Sequence, residues 1–432
     1  MSPARPSTGS AGPGPRATAA PLASAAPLAA AAPPAAAASR AAPRPTRLSS
    51  TPTTLTLEWP GGERQTLTAA WLIDNDPEHR DPHSGQRLID VADLPAQPRI
   101  RAAQLEEEEG VVRIEWDGPT PPSRLHTDWL QQHFRSSRSP RRDAPRHWPG
   151  GAALELRRDF ALATLDALRD DERRRLAWLD GLITQGLALI EHVPADDTGL
   201  LEAMRSVGQV QPTNYGVVFE VRAVPQPENL AYSDLGLGLH TDNPYREPVP
   251  GYQALHALIV PPDGGDSLFA DGFALAERLR SEDPGAFREL TRTQVPFHYR
   301  SKDADLAAER PLIELDCSGE VIAVNYNSRS IAPLSLGPEE MERFYAAYRS
   351  LAERLRDPHI ALRYRLAAGE IAVFDNRRTL HGRTAFLSAR HPRHLRGCYL
   401  TRDSVRSNAA LLARRLEAPS APSALEAIEE IR

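Results

Sequence analysis

The chain has 432 residues, 41% of them apolar, which is material for two or three domains and a substantial core. A net charge of −6 with no large basic block argues against nucleic acid as a main partner and points to a small molecule. No apolar run reaches the roughly eighteen residues that a membrane span needs. Two distant cysteines, Cys317 and Cys398, make neither a disulfide framework nor a metal motif, and fit a reducing cytoplasm.

Residues 1–47 are rich in Ala and Pro and carry five arginines but no acid. Acid-poor, Arg-containing tails can be transit peptides. Prolines recur here too often for an amphipathic targeting helix, so a disordered extension is expected. Residues 48–130 read as a small β-rich domain. "TTLTLEWPGGERQTLTAAWL" predicts a hairpin turned at Pro60-Gly61-Gly62, and "VVRIEWDG" a further alternating strand. Residues 131–151, containing "FRSSRSPRRDAPRHWPGG", are polar, basic and Pro-rich, the composition of a linker.

Residues 152–420 are continuous globular sequence. "DDERRRLAWLDGLITQGLALIEHV" predicts an amphipathic helix feeding a strand, and "YQALHALIV" and "EIAVFDN" are apolar strands. "PEEMERFYAAYRSLAERLRD" is a helix behind a Pro start signal, and "SNAALLARRLEA" a terminal helix. Many strands, few helices and no visible βαβ alternation predict an α+β fold with a barrel-like sheet core.

"LHTDNPY" (239–245) places His240 and Asp242 two residues apart. On a strand, side chains alternate, so both would face one side and could share a metal ion. Alone, such a pair is more often a hydrogen-bonded pair on the surface. Downstream, "GEIAVFDNRRTLHGRTAF" carries His381, and Arg393 follows in "RHLRGCYL". Two histidines and one carboxylate on one face leave coordination positions open, as in non-haem Fe(II) oxygenases. An arginine suits the far carboxylate of a chelating diacid, because guanidinium binds it bidentately and keeps its charge. A metal-free binding module that has kept the fold is the rival reading, and the intact triad argues against it.

These pieces, with "NLAYSDLGLGLHTDNPYREPVPGYQALHAL", "GGDSLFADGF", "VNYNSRS" and "FDNRRTLHGR", resemble the γ-butyrobetaine and trimethyllysine dioxygenase family, within the taurine-dioxygenase-like Fe(II)/2-oxoglutarate oxygenases. The resemblance covers about 48–415. It implies a distorted double-stranded β-helix, a jelly-roll core, and Fe(II) held by His240, Asp242 and His381. It implies Arg393 on the C5 carboxylate of 2-oxoglutarate, with Leu237 packed on the cosubstrate and Ser267 beside it. It implies a trimethylammonium substrate and O2, a homodimer, and ascorbate as a reductant.

By motif, the rings around the trimethylammonium group would be Tyr215, Phe219, Tyr232 and Tyr399, with Phe219 where the animal enzyme has tryptophan. Ring faces suit a cation that cannot donate hydrogen bonds, at about 0.5–2 kcal/mol each. Asn229 and Asn327 match positions that hold the substrate carboxylate. Arg246 and Arg329 lie close by. If either faces inward, 2-trimethylaminoethylphosphonate, a substrate of bacterial relatives, competes with γ-butyrobetaine, and trimethyllysine is a further alternative. The animal enzymes carry a small zinc domain with cysteines after a "WLRDN" motif. Here "WLIDNDPEHRDPHSGQRL" (71–88) has no cysteine, so the domain is expected without structural zinc.

Overall fold

The structure is a computed structural model that describes residues 44–136, 144–224, 232–388 and 392–417. The Ala/Pro-rich tail therefore lies outside the described residues, but for its last four positions. The chain divides into two compact units, Met1–Ser139 and Pro140–Arg432. Among the described residues no helix is long and apolar enough to cross a membrane.

The first unit has two three-stranded antiparallel sheets. One pairs Arg47–Ser50, Thr54–Glu58 and Arg64–Thr68; the other pairs Ile100–Glu106, Val111–Trp116 and Ser123–His126. The hairpin closes through Gly61 and Gly62, both at positive φ, which only glycine adopts freely. Alternate residues Leu55, Leu57, Val112 and Ile114 are fully buried together with Trp59 and Leu72. The helix Thr127–Ser136 runs across the point where composition places the start of the linker. It does so because Trp129 and Leu130 pack into this first core.

In the segment 71–88 hydrogen bonds do the shaping. Thr68 caps the helix Ala69–Asp74, and Asp76 caps the turn that follows. His79 Nδ1 pairs with the Ile73 carbonyl at 2.9 Å. The Asp81 carboxylate accepts from the Ser84 amide at 2.7 Å, and Arg87 pairs with Asp74.

The second unit is a two-sheet sandwich. In the larger sheet the order is Phe219–Arg222, His394–Leu400, Tyr252–Ile259, Ile371–Asp375, Leu187–Glu191 and Ala161–Thr164, with Val210–Gln211 also on His394–Leu400. The smaller sheet runs Leu237–His240, Thr379–Arg383, Ser267–Asp271 and Leu362–Tyr364. Phe269 of the smaller sheet meets Phe374 of the larger edge-on, with centroids 5.5 Å apart.

The larger sheet is covered on both faces, which is why its strands read as unbroken apolar runs. Tyr252, Ala254, Ile371, Val373, Cys398 and Leu400 pack beneath the helices Glu172–Gln185 and Arg402–Glu417. Leu255, Ala372, Phe374 and Leu395 face the smaller sheet.

One feature runs against the sequence reading. Ala161–Thr164 and Leu187–Glu191 are parallel, joined through the helices Leu165–Asp170 and Glu172–Gln185. This is a βαβ crossover, hidden because its first strand is only four residues long and shows no period of its own.

Candidate active site

A cavity of about 470 Å³ opens between the two sheets of the second unit. That size suits a small-molecule site, for which roughly 300–1,000 Å³ is usual. Its walls bring together His240, Asp242, His381, Arg393, Leu237, Ser267, Tyr215, Phe219, Tyr232, Tyr399 and Asn327, residues spread over nearly two hundred positions. Asn229 lies outside the described residues.

His240 and His381 stand directly opposite each other on the antiparallel strands Leu237–His240 and Thr379–Arg383. Asp242 is not on a strand. The strand stops at His240, and the chain turns through Asn243, at φ 57°, a conformation that Asn tolerates. The turn is clamped from three sides. The Thr241 amide donates to the Tyr326 carbonyl at 2.8 Å, Asn327 Nδ2 donates to the Thr241 carbonyl at 3.0 Å, and the Asp242 amide donates to Asn376 Oδ1 at 2.7 Å.

The result returns the carboxylate to the histidines. Asp242 Oδ1 lies 3.4 Å from His240 Nε2, and Oδ2 lies 3.8 Å from His381 Nε2. One ligand atom from each side chain falls within 4.8 Å of the others, and this is the one such group among the described residues.

The protonation states suit a cation. Burial pushes the His381 imidazole down to about 3, helped by the neighbouring His240. Burial works to raise Asp242, but His381, His240 and a hydrogen bond from Tyr399 together hold its carboxyl below the usual range. His240 Nδ1 bonds the Gly238 carbonyl at 2.9 Å, which leaves Nε2 with its lone pair toward the group. Two imidazoles and one carboxylate are a donor set that fits Fe(II).

Arg393 is 6% exposed, and its Nε donates to the Gly265 carbonyl at 2.9 Å. A Cβ on Gly265 would lie 2.8 Å from Arg393 Cδ, so glycine is what lets the arginine lie there. Burial, and then the charge of Arg383, push the guanidinium down to about 9. A cation held under that penalty is relieved by a carboxylate that it can grip bidentately. Leu237 and Ser267 line the cavity, each paired in register with Arg383.

The aromatic wall is larger than the motifs foretold. Phe219 lies 5.1 Å from Tyr399 and 6.4 Å from Tyr215, centroid to centroid. Tyr299 joins them, 5.9 Å from Tyr215 and stacked on Tyr245 at 5.1 Å. Tyr215 donates to the Tyr245 hydroxyl at 3.1 Å, and Tyr245 to Asn243 Oδ1 at 2.6 Å. Sequence reading missed Tyr299 and gave Asn376 no role. Tyr299 lies on the hairpin strand Val295–Arg300, where the alternation of "VPFHYR" was the available signal.

The two arginines left open part company. Arg329 lines the cavity, close enough for its charge to act on His381. Arg246 is absent from the cavity wall; it donates to Asn214 Oδ1 and lies over the Tyr215 ring at 5.8 Å. Asn327 spends one donor on Thr241, and its Oδ1 has no hydrogen-bond partner among the described residues.

Comparison with known proteins agrees with this chemistry. The family described as taurine catabolism dioxygenase TauD, TfdA family matches residues 149–399. A γ-butyrobetaine dioxygenase of Pseudomonas sp. (strain AK-1) is 33% identical over 367 residues, covering 83% of this chain and 94% of the relative. A trimethyllysine dioxygenase of Meyerozyma guilliermondii is 27% identical over 379 residues, covering 83% and 93%. A solved structure of an asparagine oxygenase with Fe(II), hydroxyasparagine and succinate covers 55% of this chain and 83% of its own, at 19% identity and a TM-score of 0.43. The chain thus belongs to the TauD/TfdA dioxygenase family and is a 2-oxoglutarate-dependent dioxygenase.

Proposed function

We propose that this dioxygenase hydroxylates a small trimethylammonium compound, with γ-butyrobetaine, converted to L-carnitine, as the best-fitting substrate. One observation carries the reading: the rings of Tyr215, Phe219, Tyr232 and Tyr399 share a cavity with the His240–Asp242–His381 group. The name of the Pseudomonas relative points the same way. On this reading the sandwich is a distorted double-stranded β-helix. His240, Asp242 and His381 hold Fe(II), and Arg393 holds the C5 carboxylate of 2-oxoglutarate, with Leu237 and Ser267 beside it.

Bound there, iron supplies the oxidising chemistry by which O2 and 2-oxoglutarate become succinate and CO2 while one oxygen atom enters a substrate C–H bond. The chain supplies position. The rings hold the trimethylammonium end by their faces, each worth about 0.5–2 kcal/mol. Asn327, with Asn229, takes the carboxylate end. Held at both ends, the substrate presents one methylene to the metal.

Arg329 favours a second reading, because it places a positive charge on the wall near the metal group. A doubly charged phosphonate, as in 2-trimethylaminoethylphosphonate, would gain more from it than a carboxylate. The test is to supply Fe(II), 2-oxoglutarate and O2 with γ-butyrobetaine, the phosphonate or trimethyllysine, and to look by mass spectrometry for a product with one added oxygen. The expected product is hydroxylated γ-butyrobetaine, with succinate formation abolished by His240→Ala. Product from the phosphonate alone supports the second reading, and none from any trimethylammonium compound sinks both.

A further inference from the structure

The Tyr399 hydroxyl donates to Asp242 Oδ2 at 2.8 Å. Tyr399 is only 4% exposed, and its ring belongs to the aromatic wall, 5.1 Å from Phe219. A single side chain therefore touches both halves of the cavity. We propose that Tyr399 is a positioning residue for the metal centre as well as a wall for the substrate cation: its hydroxyl holds one carboxylate oxygen of Asp242 so that the other is presented to the ion.

A carboxylate can rotate about its Cβ–Cγ bond, bind through either oxygen, or chelate through both. A donor fixed on one oxygen removes that freedom and leaves a single-point ligand. In this chain Oδ2 has the Tyr399 hydroxyl at 2.8 Å and lies 3.8 Å from His381 Nε2, whereas Oδ1 has the nearer approach to a ligand, 3.4 Å from His240 Nε2. The backbone of the same residue is fixed independently. Asn376, fully buried after the strand Ile371–Asp375, accepts from the Asp242 amide at 2.7 Å. Its Nδ2 donates to the Asp242 carbonyl at 3.0 Å and to Pro250 at 3.2 Å. Asp242 sits in a turn rather than on a strand, so the sheet does not hold it. Asn376 fixes the main chain, and Tyr399 fixes the side chain.

The arrangement also couples two distances. With its oxygen on the metal carboxylate and its ring against the substrate's cation, Tyr399 sets how far the cationic group lies from the metal. That separation decides which carbon is presented.

This inference rests on the reading of His240, Asp242 and His381 as the metal site, and the experiment separates the two. Mn(II) binding to the full chain with 2-oxoglutarate is followed by electron paramagnetic resonance of the free ion, for wild type, His240→Ala, Tyr399→Phe and Tyr364→Phe. Tyr399→Phe keeps the ring and deletes the donor. Its Kd for Mn(II) is expected to rise about 10–100-fold, as for other loss of groups that orient metal ligands. At saturating Fe(II), KM for the trimethylammonium substrate changes little while kcat falls and succinate forms without product. Tyr364→Phe, which removes a hydroxyl that bonds Glu370 away from the cavity, leaves Mn(II) affinity as in wild type. A purely structural hydroxyl would lower the melting temperature of Tyr399→Phe and leave metal affinity alone, which would overturn the proposal.

Adding Mn(II) to the wild type gives an arm that needs no variant. Neutralising the carboxylate that the phenol touches should perturb tyrosine absorbance near the ultraviolet edge, and an unchanged spectrum counts against the proposal. Wild type that takes up no Mn(II) in a manner sensitive to His240→Ala overturns the metal-site reading and this inference with it. Equal Mn(II) affinity in wild type and Tyr399→Phe overturns this inference alone.

Discussion

Phe219 packs against Gly397, its partner across the strand pair, and the fit leaves no room for a methyl group. A Cβ on Gly397 would lie 2.4 Å from two atoms of the ring. Gly397→Ala must push the ring into the cavity or the strands apart, at a cost of roughly 1–3 kcal/mol. Substrate misplaced by such a shift should lose about 10–100-fold in kcat/KM. Adding Phe219→Leu should recover the stability but not the affinity, and wild type and the two variants compared by denaturant melts and substrate kinetics check this. At this scale, legibility followed distance along the chain. His240 and Asp242 are two residues apart and could be read as a pair. Asn376 acts on Asp242 across 134 residues through main-chain groups, for which no local pattern exists.

Asp271 ends the strand Ser267–Asp271 and begins the helix Gly272–Glu282, and it ties several elements together. Its carboxylate caps the helix at the Phe273 amide and accepts from the Trp148 amide, both at 3.0 Å. It also takes Arg378 bidentately at 2.9 and 2.8 Å, with both side chains at most 2% exposed. Arg378 in turn donates to the carbonyls of Thr184 and Arg146. Removing one partner of a buried pair strands the other charge, so Asp271→Ala is expected to cost about 3–5 kcal/mol. Urea unfolding measures that loss; a cost below about 1 kcal/mol would mean that water reaches Arg378. Strands such as Tyr252–Ile259 and the helix Pro338–Leu355 were legible, because length and periodicity sufficed. The crossover strand Ala161–Thr164 and the hairpin Val295–Arg300 with Asp305–Arg310 were not. Their pairing is decided by partners that a short window does not contain.

Stability of the whole molecule should carry the mark of His256. It is fully buried in the larger sheet, and neither ring nitrogen has a hydrogen-bond partner among the described residues. Burial, with Asp196 opposing and Arg396 assisting, pushes it down to about 4. The unfolded imidazole titrates near 6.5. Between those values the unfolded chain binds the proton and the folded chain does not. Stability therefore falls as pH drops from about 6.5 toward 4, by at most about 1.4 kcal/mol per pH unit from this group. Below 4 its contribution stops changing. Denaturation of wild type and His256→Leu across that window should give a shallower slope for the variant, and parallel slopes would refute the assignment.

The larger sheet has two faces with separate duties. Tyr252, Ala254, Cys398 and Leu400 belong to the packed layer under the helices, while Gln253, Leu255, Leu395 and Tyr399 look into the cavity. Because strand side chains alternate, these sets interleave along the same two strands without mixing. Selection can then act on them independently. Changes at position 253 alter what the cavity admits while both apolar layers stay as they were, whereas Leu255 and Leu395 also pack between the sheets and serve both duties. A lineage, or a directed library begun at position 253, could drift from one small cation to another without first having to become more stable.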